Sequence, residues 1–317
     1  VVVQSFPRPL SSPESLLVPK AQPNPTESLT FWQDALAWRG AVMAKVLPRT
    51  ALFGVYACFV SLLHLWSPWE GADPVHLGYA GGFFALLLTL RTSTGYERWW
   101  EARKLWGGIV NQSRSLAISA VEYGPRDRVW RQQFVRWSAV FCHAARQTLT
   151  GEDDAEALTR VLGDPPAARE LLAARHMPSR VVGRLARLLR QAREQGGLDG
   201  FDLLVIDRER AALIEHIGSC ERILRTALPR VHSIKLRRFI FLYLLGLPLA
   251  LETSQVWVTP LITMLVAYLL FAIDQIGHEL ENPFDTGRAS HLPLRAICSA
   301  IEADLMTLLA DDERAGV

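Results

Sequence analysis

The sequence predicts an all-α membrane protein: four transmembrane helices and a helical soluble section. Three observations carry that expectation. Half of the 317 residues are hydrophobic and the mean hydropathy is positive (+0.13), although 34 basic and 32 acidic residues are present. Those charges are segregated, so that long windows free of Lys and Arg alternate with windows thick in Arg. No stretch shows period-two alternation between hairpin turns, whereas apolar residues recur at three- and four-residue spacing throughout the soluble part. A net charge of only +2 gives no ground for phosphate-backbone binding, and no nucleic-acid partner is expected.

Residues 1–30, rich in proline and serine, read as a surface-draped arm rather than a cleavable signal. Residues 31–45 (FWQDALAWRGAVMAK) place apolar residues at helical spacing with Arg39 and Lys45 on another face. They read either as a helix lying at a membrane interface or as a surface helix docked on the soluble section. The first span is 50–66, which lacks Asp, Glu, Lys and Arg and is followed by Trp66 and Trp69 as interface markers. Arg39, Lys45 and Arg49 precede it, while its outer connection carries Glu70 and Asp73 and no base. The positive-inside rule therefore puts the N-terminus in the cytoplasm.

The second span opens as an apolar run, 78–90, and continues without proline into a charged helix carrying Arg91, Glu97, Arg98, Glu101, Arg103 and Lys104. About 13 apolar residues are few for a helix surrounded by lipid; such a run suits a helix that lines a cavity and packs on others. Within the charged stretch the spacing allows Glu101 to pair with Arg98 or Lys104 and sets Glu97 against Glu101. A network joining this helix to its neighbours is expected, with direct attraction of ions as the alternative.

Residues 115–238 form the soluble section: an amphipathic helix over 130–149, two short helices separated by a loop at Asp164-Pro165-Pro166, then 179–196 and 201–228, parted by the glycine-rich loop 196–200. The third span, 239–251, follows the basic run HSIKLRRFIF and carries Pro248 as a kink. The fourth, 256–273, is the cleanest of the set, and the absence of Lys and Arg over 251–273 returns the chain to the cytoplasm. The tail extends that helix, breaks at Asn282-Pro283 and ends in a helix over 294–309. The organisation is thus an arm (1–30), the interfacial helix with the first two spans (31–110), the soluble section (111–238), the third and fourth spans (239–280) and a tail (281–317), with both termini cytoplasmic.

Cys58, Cys142, Cys220 and Cys298 lie far apart without CxxC spacing and are expected to be reduced, packed thiols. No nucleophile motif, phosphate loop, dinucleotide fingerprint or paired-carboxylate site is present, so no catalytic residue, metal or cofactor is expected. His64 and His76, near the outer interface, are the residues on which a rival reading as a haem or metal enzyme rests. A helix-end ion pair is expected for His278, beside Glu279 and Glu281.

RTSTGYERWWEARKLWGGIVNQSR (91–114), SCERILRTALP (219–229) and IGHELENPFD…LPLRAICSAIEAD (276–304), in that order around four spans, resemble the bestrophin channels, most closely their bacterial members. The resemblance covers roughly residues 30–310. It implies a homopentamer around one central ion pathway, with four further identical subunits, the lipid bilayer and small inorganic ions as partners, in the inner (plasma) membrane. It further implies a neck lined by the second span at Gly82, Leu86 and Leu90, one helix face, where leucine rings act as a dewetting barrier. Gly82 departs from the bulky residue usual there, which implies a wider mouth. A second, cytosolic constriction falls near Phe201, with Leu203, Leu204 and Val205 as neighbours; Phe201 and Leu204 are its candidates. The acid run that forms the calcium clasp of animal members reads DTGRASH (285–291) here, with one Asp and an added Arg288, so calcium gating is not expected. The function implied is passive conduction of chloride or other small anions. The alternatives are a cation-selective channel, a non-conducting scaffold, and the haem or metal enzyme.

Overall fold

The apolar windows and the amphipathic ones fold into two stacked helical bundles that share one very long helix. A computed structural model describes residues 43–69, 74–226, 230–251 and 257–315. The arm, and the interfacial helix up to residue 42, lie outside the described residues. Among the described residues there are ten α-helices and no strand: α1 (Met43–Trp66), α2 (Pro74–Tyr123), α3 (Arg128–Thr150), α4 (Ala155–Leu162), α5 (Pro165–Leu172), α6 (Met177–Glu194), α7 (Gly200–Arg225), α8 (Arg230–Leu251), α9 (Val258–Leu280) and α10 (Leu294–Ala315).

The first expected span is longer than the sequence implied. Its helix starts at Met43, with Pro48 inside it, so the basic lead-in Lys45 and Arg49 is helical. The last helix likewise runs to Ala315 rather than ending near 309. The greatest length belongs to α2. No proline interrupts its 50 residues beyond the first position, and at 1.5 Å per residue it extends about 75 Å. The division expected at residue 110 falls inside it.

The soluble helices start on side-chain caps. Asp127, Asp154, Asp164 and Asp199 each accept a hydrogen bond from a backbone N–H in the first turn of α3, α4, α5 and α7, and the His176 side chain accepts one from the Ser179 N–H at the start of α6. This corrects the expected loop at Asp164-Pro165-Pro166. Asp164 is a cap, and both prolines occupy the first turn of α5, where a missing N–H leaves no bond unmade.

In the polar bundle α3 is the central rod, buried at nearly every position from Phe134 to Leu149 and surrounded by α2, α4, α6, α7 and α10. Its polar side chains are matched: Arg146 is buried and bonds Asp154 at 2.5 Å and Glu152 at 3.0 Å, and His143 meets Glu302 of α10 at 3.0 Å. Three of the cysteines are buried and free, as expected, and burial pushes the thiols of Cys142 and Cys220 up to about 12. Cys58 departs from the expectation, being exposed on α1.

The apolar bundle consists of α1, α8, α9 and the first third of α2, around Phe53, Leu88, Ile240, Leu244 and Leu270. Its outer surface remains apolar: Leu52, Val55, Phe59, Leu62, Leu261, Leu265 and Leu269 are exposed on α1 and α9. An exposed apolar belt of this extent suits contact with lipid or with another apolar surface. Trp66 and Trp257, both exposed, close the belt at one end. Two helices, α1 and α9, are long and apolar enough to cross a membrane unaided. The other two expected spans, 78–90 and 239–251, are shorter apolar runs within α2 and α8.

Acid should loosen the polar bundle. Burial pushes the His143 imidazole below its ordinary range, against the raising influence of Glu302. Burial alone would raise Glu302, but the hydrogen bond and charge of Arg160, joined by His143, hold its carboxyl below the usual range. As pH falls below about 6.5 the unfolded chain takes up a proton at His143 before the folded one does, and below about 4.5 the same holds for Glu302. Both effects reduce stability as pH falls. The thermal midpoint is expected to drop between about pH 7 and pH 5, and His143→Gln to flatten that part of the profile.

Candidate pore-lining face

The face that matters on α2 is defined by what packs on the opposite side. Phe84, Leu88, Arg91, Gly95, Trp99, Ala102, Trp106 and Ile109 form the packed stripe, fully or partly buried. At 100° per residue, Leu86 and Leu90 lie about 200° from Leu88, on the far side of the helix. They are 58% and 57% exposed, and Gly82, a turn earlier, is also exposed, with nothing within 4 Å of where a Cβ would stand. All three expected neck residues therefore share one unpacked face. The stripe continues through Thr94 and Glu97 to Lys104, each exposed and a turn or two further on. The Thr94 hydroxyl donates to the Leu90 carbonyl, which satisfies it within the helix.

Two close helix crossings fix the direction of that face. At α2–α9 the backbones approach closely at Gly95: a Cβ there would stand 3.1 Å from the Gly277 carbonyl oxygen and 3.2 Å from Leu280 Cβ, so a side chain would push the helices apart. At α2–α7 a Cβ on Gly108 would meet the His216 ring at 2.6 Å.

Around these crossings, polar groups lock α2 to its neighbours. Arg91 and Asp274 of α9 form an ion pair with side chains only 2% and 3% exposed, and Arg91 also reaches Glu281 at 3.1 Å. The other Asp274 oxygen accepts from Arg237 of α8 at 3.1 Å. Arg98 donates to the carbonyl oxygens of Ile223, Thr226 and Glu281, at 2.6, 2.9 and 3.3 Å, bridging the ends of α7 and α9. The Trp99 indole N–H donates to the Ser290 carbonyl, and Glu101 pairs with Arg222 of α7 at 3.2 Å. The charges expected to pair along α2 thus pair outward. The network replaces the Glu101 pairing to Arg98 or Lys104 that spacing alone allowed. His278 meets Glu281 at 3.0 Å, the expected helix-end pair.

Helix α7 runs antiparallel to the lower part of α2, as the contacts Glu101–Arg222, Gly108–His216 and Gln112–Glu209 show in sequence. Phe201 and Leu204, in its first turn, therefore lie near the far end of α2, on the order of 45 Å along the helix from Leu90. They are 82% and 68% exposed; Val205 is exposed too, whereas Leu203 turns toward the core.

The segment matching the calcium clasp is occupied by its own ion pair. Asp285 bonds Arg288 at 3.0 Å and accepts the Gly287 N–H, and Arg288 also donates to the His278 carbonyl. Among the described residues no group of three or more His, Cys, Asp or Glu side chains is placed to hold a metal ion. His64 packs edge-on against Trp69, 4.8 Å between ring centres; the His76 side chain lies outside the described residues.

These features define a membrane protein whose longest helix carries an unpacked apolar face. The chain belongs to the bacterial and fungal bestrophin family, whose model matches residues 23–307. Among its relatives, a voltage-dependent anion channel-forming protein of Nostoc is 32% identical over 284 residues, covering 87% of this chain and 90% of that one. The voltage-dependent anion channel-forming protein YneE of Escherichia coli K12 is 31% identical over 273 residues, covering 86% and 89%. The crystal structure of a bacterial bestrophin homologue from Klebsiella pneumoniae superposes with a TM-score of 0.76 at 26% identity, covering 84% of this chain and 98% of that one.

Reading the sequence for motifs passed over Asp274 and Arg237. The available signal was an acid directly after the longest apolar run, at the depth of Arg91 and Arg237. Asp274→Asn is expected to destabilise the protein by roughly 3 kcal/mol, the lower part of the range for breaking a buried pair, because Glu281 still faces Arg91. Denaturant unfolding of the variant in detergent measures it.

Proposed function

We propose that the protein is a passive ion channel: five identical chains arranged around a central axis, with the unpacked faces of α2 turned inward. The observation that carries this reading is the exposure of Leu86 and Leu90 opposite the packed stripe of α2, in a chain of the bestrophin family. Four spans per subunit, made by α1, the starts of α2 and α9, and the apolar part of α8, would bring both termini to the cytoplasmic side of the inner membrane, by the distribution of bases.

In this arrangement Leu86 and Leu90 give two apolar rings that exclude water when narrow and conduct when widened. Gly82 adds no side chain, so the outer mouth is wider than the rings below it. Phe201 and Leu204 form a second apolar constriction at the far end of α2. Below Leu90 the stripe carries Glu97 and Lys104, with Glu101, held by Arg222, on the same side. We assign the channel to small anions, chloride among them; the names of the relatives say anion. Cation selectivity is the second reading, favoured by Glu97 being the first charge below Leu90 on the exposed face. Calcium gating is not part of the proposal, because Arg288 engages the Asp285 carboxylate.

Leu86→Ala and Leu90→Ala each widen a ring without uncovering a core. Single-channel conductance is expected to rise on the order of tenfold, while stability changes by about 0.5 kcal/mol or less. Unchanged currents with lowered stability would return both residues to a structural role. Native mass measurement should give five subunits. In a chloride gradient across a planar bilayer the reversal potential should follow chloride and be insensitive to micromolar Ca²⁺. A potential that follows Na⁺ or K⁺ selects the cation reading.

A further inference from the structure

Outside the α2 face, the apolar bundle holds a slot with a basic mouth. About 300 Å³ in volume, it lies between α1, α8 and α9. Its floor is Phe53, set against Phe241 at 6.0 Å and Phe271 at 5.8 Å between ring centres, and Leu52 and Ile240 complete the walls. Leu52 and Phe241 are among the exposed apolar residues, so the slot opens sideways into the apolar surface.

At one end the lining changes character. Arg49 stands one turn before Phe53 on α1, and Arg237 one turn before Phe241 on α8. Arg49 is exposed and has no hydrogen-bond or ion-pair partner among the described residues. Arg237 is anchored through its Nε to Asp274 and is half exposed, so its outer guanidinium nitrogens remain free for a ligand among the described residues. A second cavity begins at the same two arginines and continues past Lys45 and Arg288. The acids nearby are engaged: Asp274 with Arg91 and Arg237, Glu279 with Lys45 and Gln275, and Asp285 with Arg288.

We propose that this slot binds an anionic phospholipid of the cytoplasmic leaflet, an acyl chain against Phe53 and the phosphodiester between Arg49 and Arg237. Charge complementarity selects that occupant. Water-soluble anions have no use for an apolar floor that opens into the bilayer, and a zwitterionic lipid brings no net charge to the unpaired Arg49 and the outer face of Arg237. The two arginines sit where the apolar runs of α1 and α8 begin, the depth at which basic pockets between helices meet headgroups. The site rests on the protein's being in a membrane and makes no use of ion conduction.

The test exposes the purified full-length protein in detergent to an equimolar mixture of phosphatidylglycerol and phosphatidylcholine and counts retained lipid by native mass spectrometry. Phosphatidylglycerol should be retained preferentially. Arg49→Gln, which breaks no bond among the described residues, should lower its retention about fivefold and leave phosphatidylcholine unchanged. Leu52→Trp, which fills the slot and keeps its basic mouth, should do the same. Equal retention of both lipids, or wild-type retention in either variant, overturns the proposal. Displacement of the lipid by equimolar inorganic phosphate would assign the mouth to a free anion instead. Loss of subunits in Leu52→Trp with unchanged lipid would assign the slot to a neighbouring copy of the chain. Retention is read without current, so the lipid site and the channel stand or fall separately.

Discussion

The ion pair between Arg91 and Asp274 fixes the long helix α2 against the apolar bundle. Both side chains are almost wholly withdrawn from solvent, where neither charge is tolerable alone, so α2 and α9 are tied at one depth and one rotation. Arg237 and Glu281 attach the same knot to α8 and to the turn after α9. Such a pair adds little net stability over an apolar substitute; its effect is to penalise every other alignment of the helices. The direction of the Leu86–Leu90 face follows from that alignment, since rotating α2 by one residue would bury one leucine and unpair Arg91.

The polar bundle is specified by different means. Side-chain caps start its helices and a rod of small and aromatic residues, α3, fills its centre. Its ionic contacts, Arg146 with Asp154 and His143 with Glu302, are satisfied locally and do not reach the membrane part. The long helix α2 is the element common to both cores, through Leu88 in one and Trp106, Ile109 and Leu116 in the other.

Much of this was legible in the sequence, for reasons that differ by element. Segregation of charge and apolar period marked the helices, and the stretch 91–114 with its companions marked the family. The start of α5 was misjudged because Asp164-Pro165-Pro166 was taken as a loop, and the start of α1 because the span was bounded by its lack of charge. In α5 both prolines sit in the first turn, where a helix accepts them, whereas α1 carries Pro48 within its length. The exposure of Leu86 and Leu90 followed from spacing once the packed side was known. The partners of Arg98 and Glu101 were not accessible, because two of the three carbonyls that Arg98 meets and the guanidinium that Glu101 meets lie more than a hundred residues away on α7. Local spacing ranks neighbours on one helix; it carries no information about which distant helix end arrives alongside.

The unbroken course of α2 has a mechanical consequence. A helix without proline or bulge has no hinge, so it moves as a lever. Its close backbone crossing with α9, at Gly95, is the natural fulcrum, with about 20 Å of helix toward Gly82 and about 42 Å toward Tyr123. Displacing the long arm sideways swings the short arm the opposite way through about half the distance. The leucine face and the far end of the helix cannot shift independently, and a push too small to matter at one end remains small at the other.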